Sequence, residues 1–83
     1  MEYKRIFTDI KTREVDYPKE NFIRINVYAP DKFAFPYLME IQTGNNHIVD
    51  WDTQWSVYSS STMNDARMIR QAIKMIDEYE FKE

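Results

Sequence analysis

The sequence has no cysteine, one histidine and one glycine. Without cysteine there are no disulfide frameworks, thiolate zinc sites, iron–sulfur clusters or thiol nucleophiles. A single glycine, Gly44, cannot build a phosphate-cradling loop, and no G-x-S-x-G nucleophile motif is present. No apolar run approaches the roughly 18 residues of a membrane span. The start Met1-Glu2-Tyr3-Lys4 has no signal-peptide apolar region, so a soluble cytoplasmic protein with no membrane contact is expected. Leucine is nearly missing too, with Leu38 alone against nine Ile. Lys and Arg are absent from residues 34–66.

What is present points to one small folded unit. The 83 residues fit a single domain, 1–83, and exclude a two-domain enzyme. A hydrophobic content of 43% with 13 aromatic residues is enough for a core. The β-branched and aromatic bias favours strands over a helical bundle. The abundance of Ile, Lys, Asn, Tyr and Phe also suits AT-rich coding, a composition common in phage and mobile-element proteins and in many bacterial ones.

Five elements can be read along the chain. Ala66, Ile69, Ile73 and Ile76 recur at three- and four-residue steps between Asn64 and Tyr79 with no Gly or Pro, which predicts a helix with one apolar face and with Ile69, Ile73 and Ile76 buried against the sheet. Ser61 and Thr62 offer N-cap oxygens, and Thr62-Met63-Asn64-Asp65 has the form of a capping box with Asp for Glu. Phe22 to Tyr28 alternates Ile23, Ile25 and Val27 against Arg24 and Asn26, a strand with one apolar face. Tyr37 to Thr43 leads into Gly44-Asn45-Asn46, the strongest turn signal, and His47 to Tyr58 runs back, predicting a hairpin. Tyr37, Met39 and Ile41 share one face there, with Val49, Trp51, Trp55 and Val57 available on the return strand, where Thr53-Gln54 is a candidate bend. At the N-terminus, Tyr3, Ile6, Phe7 and Ile10 fit a helix, whereas Ile6, Thr8, Ile10 and Thr12 alternate as a strand running on through Val15 and Tyr17. The missing cap favours strand. The expected fold is α+β: a three- to four-stranded antiparallel sheet with one C-terminal helix packed on it.

Catalytic chemistry has few candidates. His47 follows a turn, where a solvated imidazole is the plain reading, and only four serines are present. His47, Asp50 and Asp52 could surround a divalent ion on a bulged strand, but no further ligands accompany them. The expectation is no catalytic residue, no metal and no cofactor, with a metal-assisted hydrolase as the weakest alternative.

Charge and aromatic placement say more. Residues 1–33 carry a net +1, residues 34–66 a net −4 and residues 67–83 none, for −3 overall. Glu40, Asp50 and Asp52 would form a negative patch beside Trp51 and Trp55 if they share a face. With Tyr58, the residues Trp51, Trp55, Asp50 and Asp52 are therefore the candidate site for a protein partner with a basic surface. The competing reading is that most of the aromatics fill the core of a chain short of leucine. On the helix, Met68, Ala72, Met75 and Tyr79 widen the apolar arc to about 180°, more than one sheet face needs. Met68, Met75 and Tyr79 are thus candidates for a homodimer interface. The N-terminal cations Lys4, Arg5, Lys11, Arg13 and Arg24 lie among aromatics, as in proteins that bind RNA or single-stranded DNA, although interspersed acids and the net negative charge oppose that. The leading expectation is a non-enzymatic interaction module, in its most concrete form a small acidic inhibitor that docks on a host or defence-system macromolecule. Nucleic-acid binding is the alternative.

Overall fold

A computed structural model describes residues 2–16, 19–32, 35–45 and 51–81. Four strands and one helix follow in order: β1 (Tyr3–Asp16), β2 (Lys19–Pro30), β3 (Tyr37–Asn45), β4 (Asp52–Tyr58) and α1 (Asp65–Glu78). The strands form one antiparallel meander in the order β1-β2-β3-β4, with the C-terminal helix packed on it, which is the α+β layer pair expected. Among the described residues, no helix is long and apolar enough to cross a membrane.

The N-terminal segment is strand, paired with β2 along its length. Its register shifts between Arg5 and Phe7, leaving Ile6 as an extra residue. Such a bulge turns the strand locally. Both Ile6 and Phe7 consequently pack against the core, so helical and strand spacings coexisted in the sequence there.

Alternation on β2 sorts the two faces. Ile23, Ile25 and Val27 are buried, and the register places Thr43, Ile41 and Met39 beside them on β3. Those side chains meet Met68, Ala72 and Ile76 of α1 to form the core. The helix rests on β1 and β2.

The helix face is rotated from the one expected. Met68, Ala72 and Ile76 point at the sheet, Met75 and Tyr79 flank them, Ile69 is half-buried, Ala66 is exposed and Ile73 is 43% exposed. The wide apolar arc allowed two stripes, an Ile-rich one and a Met-rich one. Ala72 decides between them, because a small residue at the centre of the contact brings the helix axis close to the sheet. The residues offered as a dimer surface, Met68, Met75 and Tyr79, therefore pack within their own chain, Met68 completely.

Helix capping is also displaced, by two residues from Thr62. The N-cap is Asn64, whose side chain accepts from the Arg67 N–H at 3.0 Å, not Ser61 or Thr62. Ser60 and Thr62 instead close the preceding turn, with the Thr62 N–H donating to Ser60 Oγ and the Met63 N–H to the Ser60 carbonyl. Asp65 places an acid at the positive end of the helix dipole. The last turn carries no basic residue, and β1 supplies one. Lys11 Nζ donates to the carbonyls of Ile76, Asp77 and Tyr79 at 3.3, 3.4 and 3.0 Å. Beside it Arg13 donates to the Phe81 carbonyl and lies over the Phe81 ring.

Gly44, expected at a turn, is a strand residue opposite Phe22. A Cβ there would stand 2.9 Å from Trp51 Cδ1 and 3.3 Å from Phe22, so glycine is required for the close approach of two rings. The connection expected around Asn46 and His47, together with Val49 and Asp50, lies outside the described residues, as does Tyr17. The strand β4 runs through Thr53 and Gln54 without a break.

Candidate functional site

Because the helix occupies one side of the sheet, the other side is defined by the opposite alternation. On β2 it carries Phe22, Arg24, Asn26 and Tyr28; on β3 Leu38, Glu40, Gln42 and Gly44; on β4 Thr53, Trp55 and Val57, with Trp51 just ahead of the strand. From β1 come Thr8, Ile10 and Thr12, and before the bulge Tyr3 and Arg5. Four of the five large hydrophobic side chains most exposed among the described residues lie here: Ile10, Trp51, Trp55 at 54% and Val57 at 61%. The fifth is Ile73 on the helix. Exposed Trp and branched aliphatic side chains collected on one face mark a recognition surface far better than scattered ones do.

Two aromatic clusters flank a polar centre. In the first, Trp51 meets Phe22 edge-on with centroids 5.1 Å apart, and the Arg24 guanidinium lies 5.2 Å from the Trp51 ring and 5.7 Å from Phe22. Gln42 accepts from Arg24 at 3.3 Å and steadies that cation over the rings. In the second, Trp55 leans on Tyr28 at 5.8 Å. Between the clusters Thr8 Oγ1 donates to Asn26 Oδ1 at 2.6 Å, and Asn26 Nδ2 donates to Glu40 Oε1 at 2.9 Å. Asn26 is the one buried polar residue among those described, and these bonds satisfy it. Tyr28 also donates to Glu40, at 3.4 Å. Burial, followed by the Glu40 charge and that hydrogen bond, holds the Tyr28 phenol above its ordinary pKa, with Arg5 opposing. The phenol is thereby held in its neutral form, and hydrogen bonds link Thr8, Asn26, Glu40 and Tyr28 across the centre of the face.

The residues expected to form a partner site are divided by this geometry. Trp51 and Trp55 stand on the helix-free face. Asp52 and Tyr58 alternate to the other side, where Tyr58 is half-buried against the core. Asp50 lies outside the described residues. Glu40 and Asp52 therefore do not build a common negative patch, and the pairing of Met39 with Ser56 puts Trp55 and Val57 on the side opposite Met39. The cations of the nucleic-acid reading are divided too. Arg5 and Arg24 belong to the helix-free face, Lys4 is exposed at the opposite side of β1, and Lys11 and Arg13 hold the end of the helix.

Sequence reasoning missed Ile10 and Val57 as exposed members of the face, and Phe22 with Arg24 as the bed of Trp51. The signal was the register, since placing Gly44 opposite Phe22 explains the glycine and locates Trp51 together.

On the helix side a cleft of about 450 Å³ lies among Tyr37, Tyr58, Met63, Lys32 and the serines at 59–61. Tyr37 donates to Asp65 at 2.6 Å at its edge, and that carboxylate raises the phenol to about 12. Among the described residues, no three His, Asp or Glu side chains gather as metal ligands, and His47 is not one of those residues. Compared with known proteins, the chain matches no family model, no curated sequence and no solved structure.

Proposed function

We propose that this protein is a non-enzymatic docking module that binds a partner protein through the helix-free face of its sheet, with Trp55 and Trp51 as the anchors. One observation carries the reading: Ile10, Trp51, Trp55 and Val57 are exposed together on a face whose polar centre is already hydrogen-bonded. Such a face offers apolar area at small ordering cost, because its polar groups need no rearrangement. The net charge of −3 favours a partner with a basic surface at long range, while the rings supply short-range affinity. A stoichiometric inhibitor of a host or defence-system macromolecule is the most concrete form of this activity.

Nucleic-acid binding is kept as a second reading because Arg24 lies against Phe22 and Trp51, the pairing of cation and ring that single strands exploit. Affinity capture from native lysate, with both protein and nucleic-acid fractions analysed, separates the two. Wild-type bait is expected to retain a protein that Trp55→Ala bait loses. Retention of nucleic acid that salt strips off, and that Arg5→Ala/Arg24→Ala bait loses, would replace the first reading with the second.

A further inference from the structure

The two edges of the sheet are protected very differently. An edge strand presents a row of unpaired backbone N–H and C=O groups, and proteins blunt such edges with charges, bulges or covering elements. The edge at β1 has charges and a bulge: Lys4, Arg5, Asp9, Lys11, Arg13 and Glu14 along it, and the extra residue Ile6. The edge at β4 has no bulge and almost no charge. Its sequence DTQWSVY holds one charge, at the first position, and no Pro or Gly. Its register with β3 is unbroken over all seven residues, and Asp52 to Trp55 and Val57 are exposed. The helix rests on β1 and β2, at the other side of the sheet. The radius of gyration, 14.2 Å, exceeds the roughly 12 Å of a compact chain this long, which fits a sheet only partly covered.

We propose that β4 pairs antiparallel with β4 of a second copy about a two-fold axis at Trp55, joining two four-stranded sheets into one continuous sheet. The sequence of β4 is self-complementary in this register, which a symmetric interface requires. Trp55 is the midpoint of the strand and falls opposite its own image, an aromatic pair. Thr53 falls opposite Val57, a β-branched pair, and Gln54 opposite Ser56, an amide facing a hydroxyl. Asp52 falls opposite Tyr58, so the strand's one charge meets a phenol and never its own image. Cross-strand pairs of these kinds stabilise antiparallel sheets, whereas like charges directly opposite destabilise them. The pairing extends the helix-free face without using it up, and it is independent of the docking role proposed above.

Sedimentation at rising concentration tests the proposal with two charge variants. Wild type is expected to dimerise within the micromolar range. Thr53→Lys with Val57→Lys sets cation against cation twice across the axis and should weaken the dimer by about tenfold or more. Thr53→Lys with Val57→Glu sets cation against anion at the same two places and should keep it. Hydrogen exchange of the wild type provides a readout that needs no variant: protection of the β4 amides should rise with protein concentration while that of the β1 edge stays constant. A wild-type chain that remains monomeric at hundreds of micromolar overturns the proposal. So does a dimer that survives the double-Lys change, or β4 amides whose protection ignores concentration.

Discussion

The half of the molecule built from β1, β2 and the helix differs sharply from the half built from β3 and β4. In the first, Ile23, Ile25 and Val27 are sealed beneath Met68, Ala72 and Ile76, and even the end of the helix is held by Lys11. In the second, Met39 reaches the shared core, but β4 is exposed on both sides along most of its length. Both halves draw on the same β-branched and aromatic residues, so composition does not distinguish them. Position under the helix does. The contrast assigns stability to one half and leaves the other available for recognition.

Substitutions should separate the halves by size of effect. The largest is expected at the helix–sheet contact, where Met68→Ala should cost about 2–5 kcal/mol, the range for emptying a fully buried site. Denaturant unfolding measures it, and a loss under about 1 kcal/mol would mean the covered half is not the stable one. Next comes Lys11→Met, which keeps the aliphatic stem and removes the ammonium. It should cost about 1–2 kcal/mol, with faster amide exchange in the last turn of α1, because the carbonyls of Asp77 and Tyr79 lose the ammonium and that of Ile76 keeps only the Tyr79 N–H. On the bare half, Trp55→Ala should alter unfolding by only about 0.5 kcal/mol at concentrations that keep chains apart, while abolishing partner capture. Equal losses at Met68 and Trp55 would erase the distinction between the halves.

The smallest effect is confined to alkaline pH and lies where the halves meet. Tyr37 on β3 donates to Asp65 at the start of the helix, which raises its pKa from 10.0 to about 12. A raised phenol pKa adds stability that is fully present below pH 10.0 and is lost as pH rises through about 12, since the unfolded chain ionises first. Unfolding of the wild type should therefore steepen across that window. Tyr37→Phe should show a shallower alkaline limb, though not a flat one, because Tyr28 is also raised. Identical limbs in wild type and variant would remove this link between the halves.

The sequence yielded the architecture because its signals were local. The alternation of Ile23, Ile25 and Val27 and the apolar steps along the helix need no knowledge of the remainder of the chain. The errors arose where a long-range choice decided. Ile73 and Met68 lie on two edges of one apolar arc, and only the docking of Ala72 selects between them. Trp55 and Asp52 both belong to β4, yet their faces depend on pairing Met39 with Ser56, a register that the hairpin sequence left open. Lys11 and Arg13 read as surface cations until the end of the helix, 65 or more residues away, is brought to them.

That last contact also orders events in time. The meander forms by pairing neighbours, so its strands can assemble as the chain emerges. Its apolar side is covered when the helix docks, and the helix end is then closed in part by Lys11, 68 residues before its acceptor at Tyr79. A long loop closure of this kind is slow compared with local pairing. Without the docked helix Ile23, Ile25 and Val27 have no cover, and the β1 edge meets solvent with a bulge and charges of both signs.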